Sequence, residues 1–417
     1  MKKLLIETNP SFVVLKLDDN SFIFYNSIRH IGCRLNAVEI RLLNLMYKFN
    51  DVDYILSNIS DSHKNEVKKA LSFIIDKGLL SSEPLKFQCS PDNYPSNYFL
   101  HLTYKCNLRC TYCYNKKIRE QRKDEMDIIQ WKKIIDKISP FCKRVTLTGG
   151  EFFLFNKCTD IVKYIRLRIP KAYIICISNA MHDFRKSGFQ DFFKYIDAIS
   201  FSCDSIEREG LRKRFVPKLF VSNVEWVRNN FPNLSVSISS VLTKYNSDDI
   251  KKTSAFCKAV NCSFEENILI PESLEDINDM PSIEKQDEMM QVGTDGVVLK
   301  KIGAPRLRCG AGTSICSIDP YGNAYPCQSL HYPEFLMGNL LDDEVEDLKY
   351  VRNREKCIPS VDDVPVCSSC KVKYICGGGC LATIYNLNGK KLGRNHFTCH
   401  LNLVNSIEKL KKLDNRL

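Results

Sequence analysis

No stretch of this 417-residue sequence approaches the ~20 consecutive apolar residues that a membrane helix needs, so a membrane partner is not expected. A secretory signal is missing too. The N-terminus, MKKLLIETNPSF, carries two lysines, but its apolar stretch is too short, and the chain is expected to be cytoplasmic. Strong charge of one sign is also absent. Lys and Arg number 60 against 49 Asp and Glu, and a net charge of +11 on this length reads as a solvated surface. With 44% hydrophobic and 26% charged residues the composition is that of a soluble globular protein, and the length suggests two or three domains.

What is abundant is cysteine, with 20 residues. In a reducing compartment clustered cysteines point to metal ligands or catalytic groups before disulfides. Nine of them lie in the last quarter of the chain, and three fall inside eight positions of "YKCNLRCTYCYNKK": Cys106, Cys110 and Cys113. A disulfide needs an even number of thiols, and a tetrahedral zinc site needs four ligands. Three close thiols leave one coordination position open, unless a distant ligand completes a zinc site.

The chain reads as α/β throughout. In residues 1–95, "SFVVLKL" and "SFIFYNS" read as strands around an Asp18-Asp19-Asn20 turn. Three helical segments follow, the first with Asn36 and Glu39 spaced as a capping box. Strands followed by three helices make a winged-helix-like pattern. From 96 to 270 six apolar β-type runs alternate with five amphipathic helices, which implies a parallel sheet, either doubly wound or most of a β/α barrel. The cysteine triplet follows the first of these strands, and Gly149-Gly150-Glu151 closes the second. In a barrel, functional residues sit at such carboxyl ends. Residues 271–305 read as an acidic bridging segment with one helix. Residues 306–417 form a cysteine-rich segment in which metal is expected to replace much of the hydrophobic core.

The spacing C-x3-C-x2-C, with Tyr112 before the last cysteine, resembles the signature of radical S-adenosylmethionine (SAM) enzymes. The resemblance implies a partial (β/α)6 barrel and a 4Fe–4S cluster on Cys106, Cys110 and Cys113. SAM would bind the open iron and be cleaved to methionine and a 5′-deoxyadenosyl radical. "GGE" at Gly149, Gly150 and Glu151 is similar to the family's second motif, with the glycines admitting the ligand and Glu151 balancing the SAM ammonium. "ISNA" places Asn179 on a third SAM-contacting motif, and "SFSCDS" places Ser202 on a fourth. Both depart from the usual pattern, with Ala180 for glycine and Cys203 for leucine. Arg212 is a candidate for the SAM carboxylate, with a solvated "REGLRKR" face as the alternative.

The C-terminal spacing, Cys309, Gly322, Cys327, Cys367-x2-Cys370-x5-Cys376-x3-Cys380 and Cys399, is similar to the seven-cysteine SPASM pattern of enzymes that modify peptides. A pair of zinc ribbons is the alternative. The resemblance implies two auxiliary 4Fe–4S clusters, one on Cys309, Cys316, Cys327 and Cys380, the other on Cys367, Cys370, Cys376 and Cys399. The remaining nine cysteines are expected to pack mostly as small apolar residues. Relatives that mature sulfatases carry an Asp after the second SPASM cysteine. Here that residue is Gln328, which cannot take a proton.

Residues 1–95 resemble PqqD-like leader-recognition domains. A winged helix can also bind DNA, but twelve basic against eleven acidic residues form no basic face, so no nucleic-acid partner is expected. Together these resemblances imply a maturase that crosslinks a ribosomally made precursor peptide through a thioether or carbon–carbon bond. Its partners would be the leader-bearing precursor and an electron donor such as flavodoxin or ferredoxin. Epimerisation or another protein oxidation is the alternative chemistry. A non-catalytic iron–sulfur peptide-binding protein is the alternative of another class, separated by whether SAM is cleaved.

Overall fold

The computed structural model describes residues 12–26, 31–49, 51–76, 94–116, 118, 124–186, 189–282, 284–285, 306–352, 358–393 and 399–413. At the N-terminus, β1 (Phe12–Asp18), β2 (Ser21–Asn26) and β3 (Ile31–Asn36) form an antiparallel meander. The third strand was not expected, because Gly32 and Arg34 interrupt its apolar run. It holds because Cys33 and Leu35 point inward and are 1% exposed. Helices α1 (Ala37–Phe49), α2 (Val52–Ser57) and α3 (Asp61–Asp76) follow.

The capping box at α1 is present. The Glu39 N–H donates to Asn36 Oδ1 at 2.9 Å, and the Asn36 N–H donates to Glu39 Oε2 at 2.7 Å. Leu42, Leu43 and Met46 of α1 then share a small core with Phe24, Leu35, Val67, Ala70 and Ile74. Most of the linker expected after residue 80, with Cys89, lies outside the described residues.

The central region runs β4 (Asn97–His101), a two-residue β5 (Arg109–Cys110), α4 (Ile128–Ile138), β6 (Arg144–Thr148), α5 (Cys158–Arg168), β7 (Tyr173–Ser178), α6 (Phe189–Phe192), β8 (Ala198–Ser202), a two-residue β9 (Arg212–Lys213), α7 (Pro217–Asn230), β10 (Ser235–Leu242), α8 (Ser247–Ala259) and β11 (Ser263–Ile268). All six expected strands are present. They lie side by side in chain order, all parallel, as β4-β6-β7-β8-β10-β11. Helix α4 shows why the helices cover them. Asp127 and Gln130 close a capping box, and Trp131, Ile134, Ile135 and Ile138 fall on one buried stripe against the sheet.

The sheet does not stop at the expected boundary at 306. Strand β12 (Ile315–Ile318) pairs parallel with β4, from Ile315 against Asn97 to Ile318 against Leu100. Strands β13 (Asn323–Tyr325) and β14 (Gly338–Asn339) then extend it antiparallel, making nine strands. The expectation that metal replaces a hydrophobic core fails for this stretch. Ile318, Ala324, Leu330, Phe335, Leu340, Val345 and Leu348 are fully buried in the same apolar cluster as Leu100 and Leu147. Among the described residues no helix is long and apolar enough to cross a membrane.

The N-terminal meander docks on the far end of the chain. Tyr25 of β2 is buried against Val372, Ile375 and Leu410, with Leu15 and Cys370 at the margin.

The shared sheet makes a prediction. A chain ending at residue 305 loses β12 and leaves the edge of β4, with Tyr98 and Leu100 fully buried in the intact protein, open to solvent. Unpaired apolar edges template association, so this truncation should appear as aggregate on size-exclusion chromatography. A monomeric product with a sharp thermal transition would show that the boundary at 306 is structural after all.

Candidate functional site

The site is built around the loop that carries Cys106, Cys110 and Cys113, and four ties hold this loop to strand ends. Asn115 Nδ2 donates to the Gly149 carbonyl after β6 at 3.1 Å. Asn179 Nδ2, after β7, donates to Asn107 Oδ1 at 2.8 Å and approaches Cys106 Sγ at 3.9 Å. The Tyr112 hydroxyl donates to the Asp204 carboxylate after β8. Finally β5 pairs antiparallel with β9, setting Cys110 against Arg212.

The three thiols are neighbours. Cys106 is pushed up to about 11 by burial, opposed by the Leu108 N–H, with Glu151, Cys110 and Cys113 adding to the rise. Three soft donors on one loop, mutually close, suit a cluster that keeps an open position, and metal binding there must release protons.

Gly149 and Gly150 are required by the backbone packed against them. Gly149 sits at φ 144°, and a Cβ there would run into the Thr103 carbonyl. One at Gly150 would meet the carbonyls of Tyr104 and Lys105. The backbone comes this close to seat two hydrogen bonds, Gly150 N–H to Thr103 O at 2.7 Å and Glu151 N–H to Lys105 O at 2.8 Å. The glycines therefore fasten the turn to the segment entering the cysteine loop.

Glu151 is 2% exposed, and its carboxylate accepts from Ser178 Oγ and the Asn179 N–H, each at 2.8 Å, and from the Phe153 N–H at 3.4 Å. Burial pushes its carboxyl up to about 7, against the pull of those three donors. Ala180, where glycine was the expected residue, adopts the left-handed φ of 57°. It is held there by its N–H to Ser178 Oγ at 3.0 Å and by Asn223 Nδ2 on its carbonyl at 2.7 Å.

Arg212 departs from expectation. It is neither on a solvated face nor turned to an outside carboxylate. It is 8% exposed, its Nε and Nη2 each lie 3.1 Å from an Asp204 oxygen, and its guanidinium sits over the Tyr112 ring at 5.6 Å. An arginine this buried needs its charge matched on the spot, and Asp204 does so. Ser202 ends β8, half-buried.

The C-terminal thiols gather in two groups. Cys367, Cys370, Cys376 and Cys399 line one cavity of about 190 Å³ with Val366, Val372 and Leu403. Four thiols share the rim of one apolar space, although among the described residues no three such side chains are placed closely enough to hold a single metal ion. In the second group Cys309 and Cys327 are raised by burial, then further by each other's neighbour Cys380, with Cys327 reaching about 12. Amides of Ala311 and Leu381 point at the Cys309 sulfur, a pattern that favours thiolate.

Cys316 does not join them. It lies on β12 opposite Tyr98, fully buried, its thiol raised to about 12 by burial alone, so it packs as a core residue. Of the cysteines assigned to packing, Cys33, Cys142, Cys158, Cys176, Cys203 and Cys257 are buried, while Cys89 and Cys357 lie outside the described residues.

Between the cysteine loop and the C-terminal segment lies a cavity of about 280 Å³. Tyr112, Cys113 and Tyr114 wall one side, Gln328, His331 and Tyr332 another, and Glu272 a third. Burial raises Tyr114, and both Cys113 and Cys327 are near enough to add to the rise. His331 bridges the Tyr104 hydroxyl at 2.6 Å and Ser317 Oγ at 2.8 Å. His101, 4.6 Å from the His331 ring, has no hydrogen bond to either nitrogen among the described residues, and burial lowers it to about 3. Sequence reasoning missed Asn107, Asn115, Glu272 and His331. The two asparagines flank the cysteines and were legible as polar loop residues, but Glu272 and His331 reach the cavity only through tertiary packing.

Residues 100–257 match the Radical SAM superfamily. The chain is 25% identical over 314 residues to the mycofactocin maturase MftC of Mycolicibacterium smegmatis, spanning 67% of this chain and 76% of that protein. Among solved structures, Streptococcus suis SuiB, bound to S-adenosylmethionine or to the precursor peptide SuiA, has a TM-score of 0.57. It covers 94% of this chain and 99% of that one at 14% identity. For anSMEcpe with bound AdoMet the TM-score is 0.56, over 77% of this chain and 100% of that one, at 17% identity. At these identities the two structures share the fold.

Glu151 offers a test that needs no ligand. Unfolded, its carboxyl releases its proton near 4.5; folded, it holds it to about 7. The native state binds more protons in that window, so this group's contribution to stability falls as pH rises from 4.5 through 7, by on the order of 3 kcal/mol. Glu151→Gln keeps the hydrogen-bond acceptor and removes the titration. Thermal unfolding from pH 5 to 8 should therefore decline less steeply in the variant than in the parent. Parallel curves would mean that the carboxylate is not desolvated.

Proposed function

We propose that this radical SAM enzyme, whose family implies a 4Fe–4S cluster and S-adenosylmethionine, is a maturase of ribosomally made precursor peptides. The observation that carries the reading is a cavity walled by Cys113 on one side and by Gln328, Ser329, His331 and Tyr332, the residues that follow Cys327, on another. A substrate there would lie against one thiol of the first group and beside the turn that follows a thiol of the second. At about 280 Å³ it is at or below the lower end of small-ligand cavities, which suits a peptide side chain presented from an extended segment. Two of the similar proteins point the same way, one a maturase and one seen with a precursor peptide.

In this reading Cys106, Cys110 and Cys113 hold the cluster that, when bound, supplies the electron cleaving SAM to methionine and a 5′-deoxyadenosyl radical. Asn179, Ser202 and the Gly149–Glu151 turn form the SAM side of the site, and Arg212 fixes Tyr112 through Asp204 in place of touching SAM. Cys367, Cys370, Cys376 and Cys399 hold one auxiliary cluster, and Cys309, Cys327 and Cys380 ligate another. The modification is a thioether or carbon–carbon crosslink, and Gln328 makes sulfatase maturation unsuitable. Strands β1 and β3 are the edges of the N-terminal meander, and a leader peptide adds to one of them. A flavodoxin or ferredoxin supplies the reducing electron.

Anaerobic reconstitution tests this reading. Replacing Cys106, Cys110 and Cys113 with Ala should remove about a third of the iron if three clusters form, and all SAM cleavage under dithionite. Cys370→Ala should keep uncoupled SAM cleavage while losing peptide product. Normal SAM cleavage in the triple variant would overturn the assignment of the radical site.

A further inference from the structure

Forming a crosslink removes two hydrogens from the peptide. A C–H and an X–H bond break and one C–X bond forms. In the proposed reading one hydrogen would leave as an atom to the radical that bound SAM supplies. The other would leave as a proton and an electron, the electron passing to an oxidised iron–sulfur centre that the C-terminal cysteines would hold. The proton needs a base in the cavity.

Most of the lining cannot serve. Gln328 has no basic atom. His331 has both ring nitrogens engaged, by Tyr104 and Ser317, and burial holds it neutral. The phenols of Tyr112, Tyr114 and Tyr332 are raised by burial and stay protonated, and Lys116 is a cation. Three carboxylates remain, on Glu272, Glu275 and Asp276. Glu275 is exposed, and Asp276 is turned onto its own segment, accepting the Glu272 N–H at 3.0 Å.

Glu272 is held differently. Asn386 Nδ2 donates to its Oε2 at 2.9 Å, and the Tyr332 hydroxyl lies 3.3 Å from the same oxygen and 2.8 Å from Asn386 Oδ1. Three segments distant in sequence thus meet to aim one carboxylate at the cavity wall.

We propose that Glu272 is the proton acceptor of the modification, standing in for the carboxylate that Gln328 lacks, with Tyr332 and Asn386 as its positioning residues. The assignment rests on the maturase reading. It names a carboxylate that no motif in the sequence marks, on the segment following β11.

The test uses the full reconstituted enzyme and a synthetic peptide, chosen by screening short reading frames near its gene for product, deuterated at the residue that is modified. Glu272→Gln should still transfer deuterium into 5′-deoxyadenosine, but crosslinked product per deoxyadenosine should fall about 10²-fold or more, the usual range for losing a general base. Binding of the fluorescein-labelled precursor, read by anisotropy, should stay within about twofold, and melting of the variant should be unchanged. In Glu272→Ala, added formate should recover part of the product, which a merely structural role would not allow. Product per deoxyadenosine within about threefold of the parent in Glu272→Gln, or no formate rescue in a folded Glu272→Ala, would overturn the role of Glu272 alone. If the parent enzyme moves no deuterium from the peptide, the maturase reading falls and Glu272 with it.

Discussion

The structure depends on holding a loop of three cysteines still. Three thiols on one loop do not brace it, and polar side chains do that work. Asn115 on the Gly149 carbonyl, Asn107 on Asn179 and Tyr112 on Asp204 each reach a different strand end. Every anchor strand is parallel and adjacent to the next, so the ends of β6, β7 and β8 lie in a row beneath the loop. The buried Arg212–Asp204 pair costs desolvation, and it sits where Tyr112 and β5 tie the cysteine loop down. Glycine enters the same scheme. Gly149 and Gly150 permit backbone contact that no side chain would allow, and the turn they make delivers Glu151 to Ser178 and Asn179.

Around this loop the molecule is one sheet and one core. Strand β12 brings the C-terminal segment alongside β4, so the turn from Cys327 to Tyr332 sits in fixed relation to Cys113. The cavity between them inherits its shape from that pairing. Glu272, on the segment leaving β11, closes the third wall from the opposite edge of the six parallel strands. Side chains far apart in sequence converge there because the sheet carries them there.

Much of this was legible in the sequence, for reasons that differ by element. The six parallel strands and their helices announced themselves by alternating apolar runs, and the Asn36–Glu39 pair marks a true helix start. The cysteine triplet was legible because its spacing has few other uses. The partners of Arg212 were not, because burial of a "REGLRKR" segment depends on a ribbon, β5 with β9, too short to show any period. Cys316 misled for a related reason: a cysteine among cysteines looks like a ligand, and only its place inside β12 shows it to be packing. The join of β12 to β4 was hidden because parallel pairing between distant segments leaves no local trace in either.

The docking of Tyr25 has a consequence for how the protein is made. Its ring is covered by Val372, Ile375 and Leu410, so almost the whole chain separates the two halves of that contact. During synthesis the first strands emerge early and can form their own small core with α1 and α3. One face of β2, however, waits until the last helix, Cys399–Leu413, has left the ribosome. Until then it is an apolar patch in search of a partner, on the part of the molecule most open to early misassociation. The early meander is thus completed by segments made about 350 residues later, and the thiol of Cys370 sits at that closing seam.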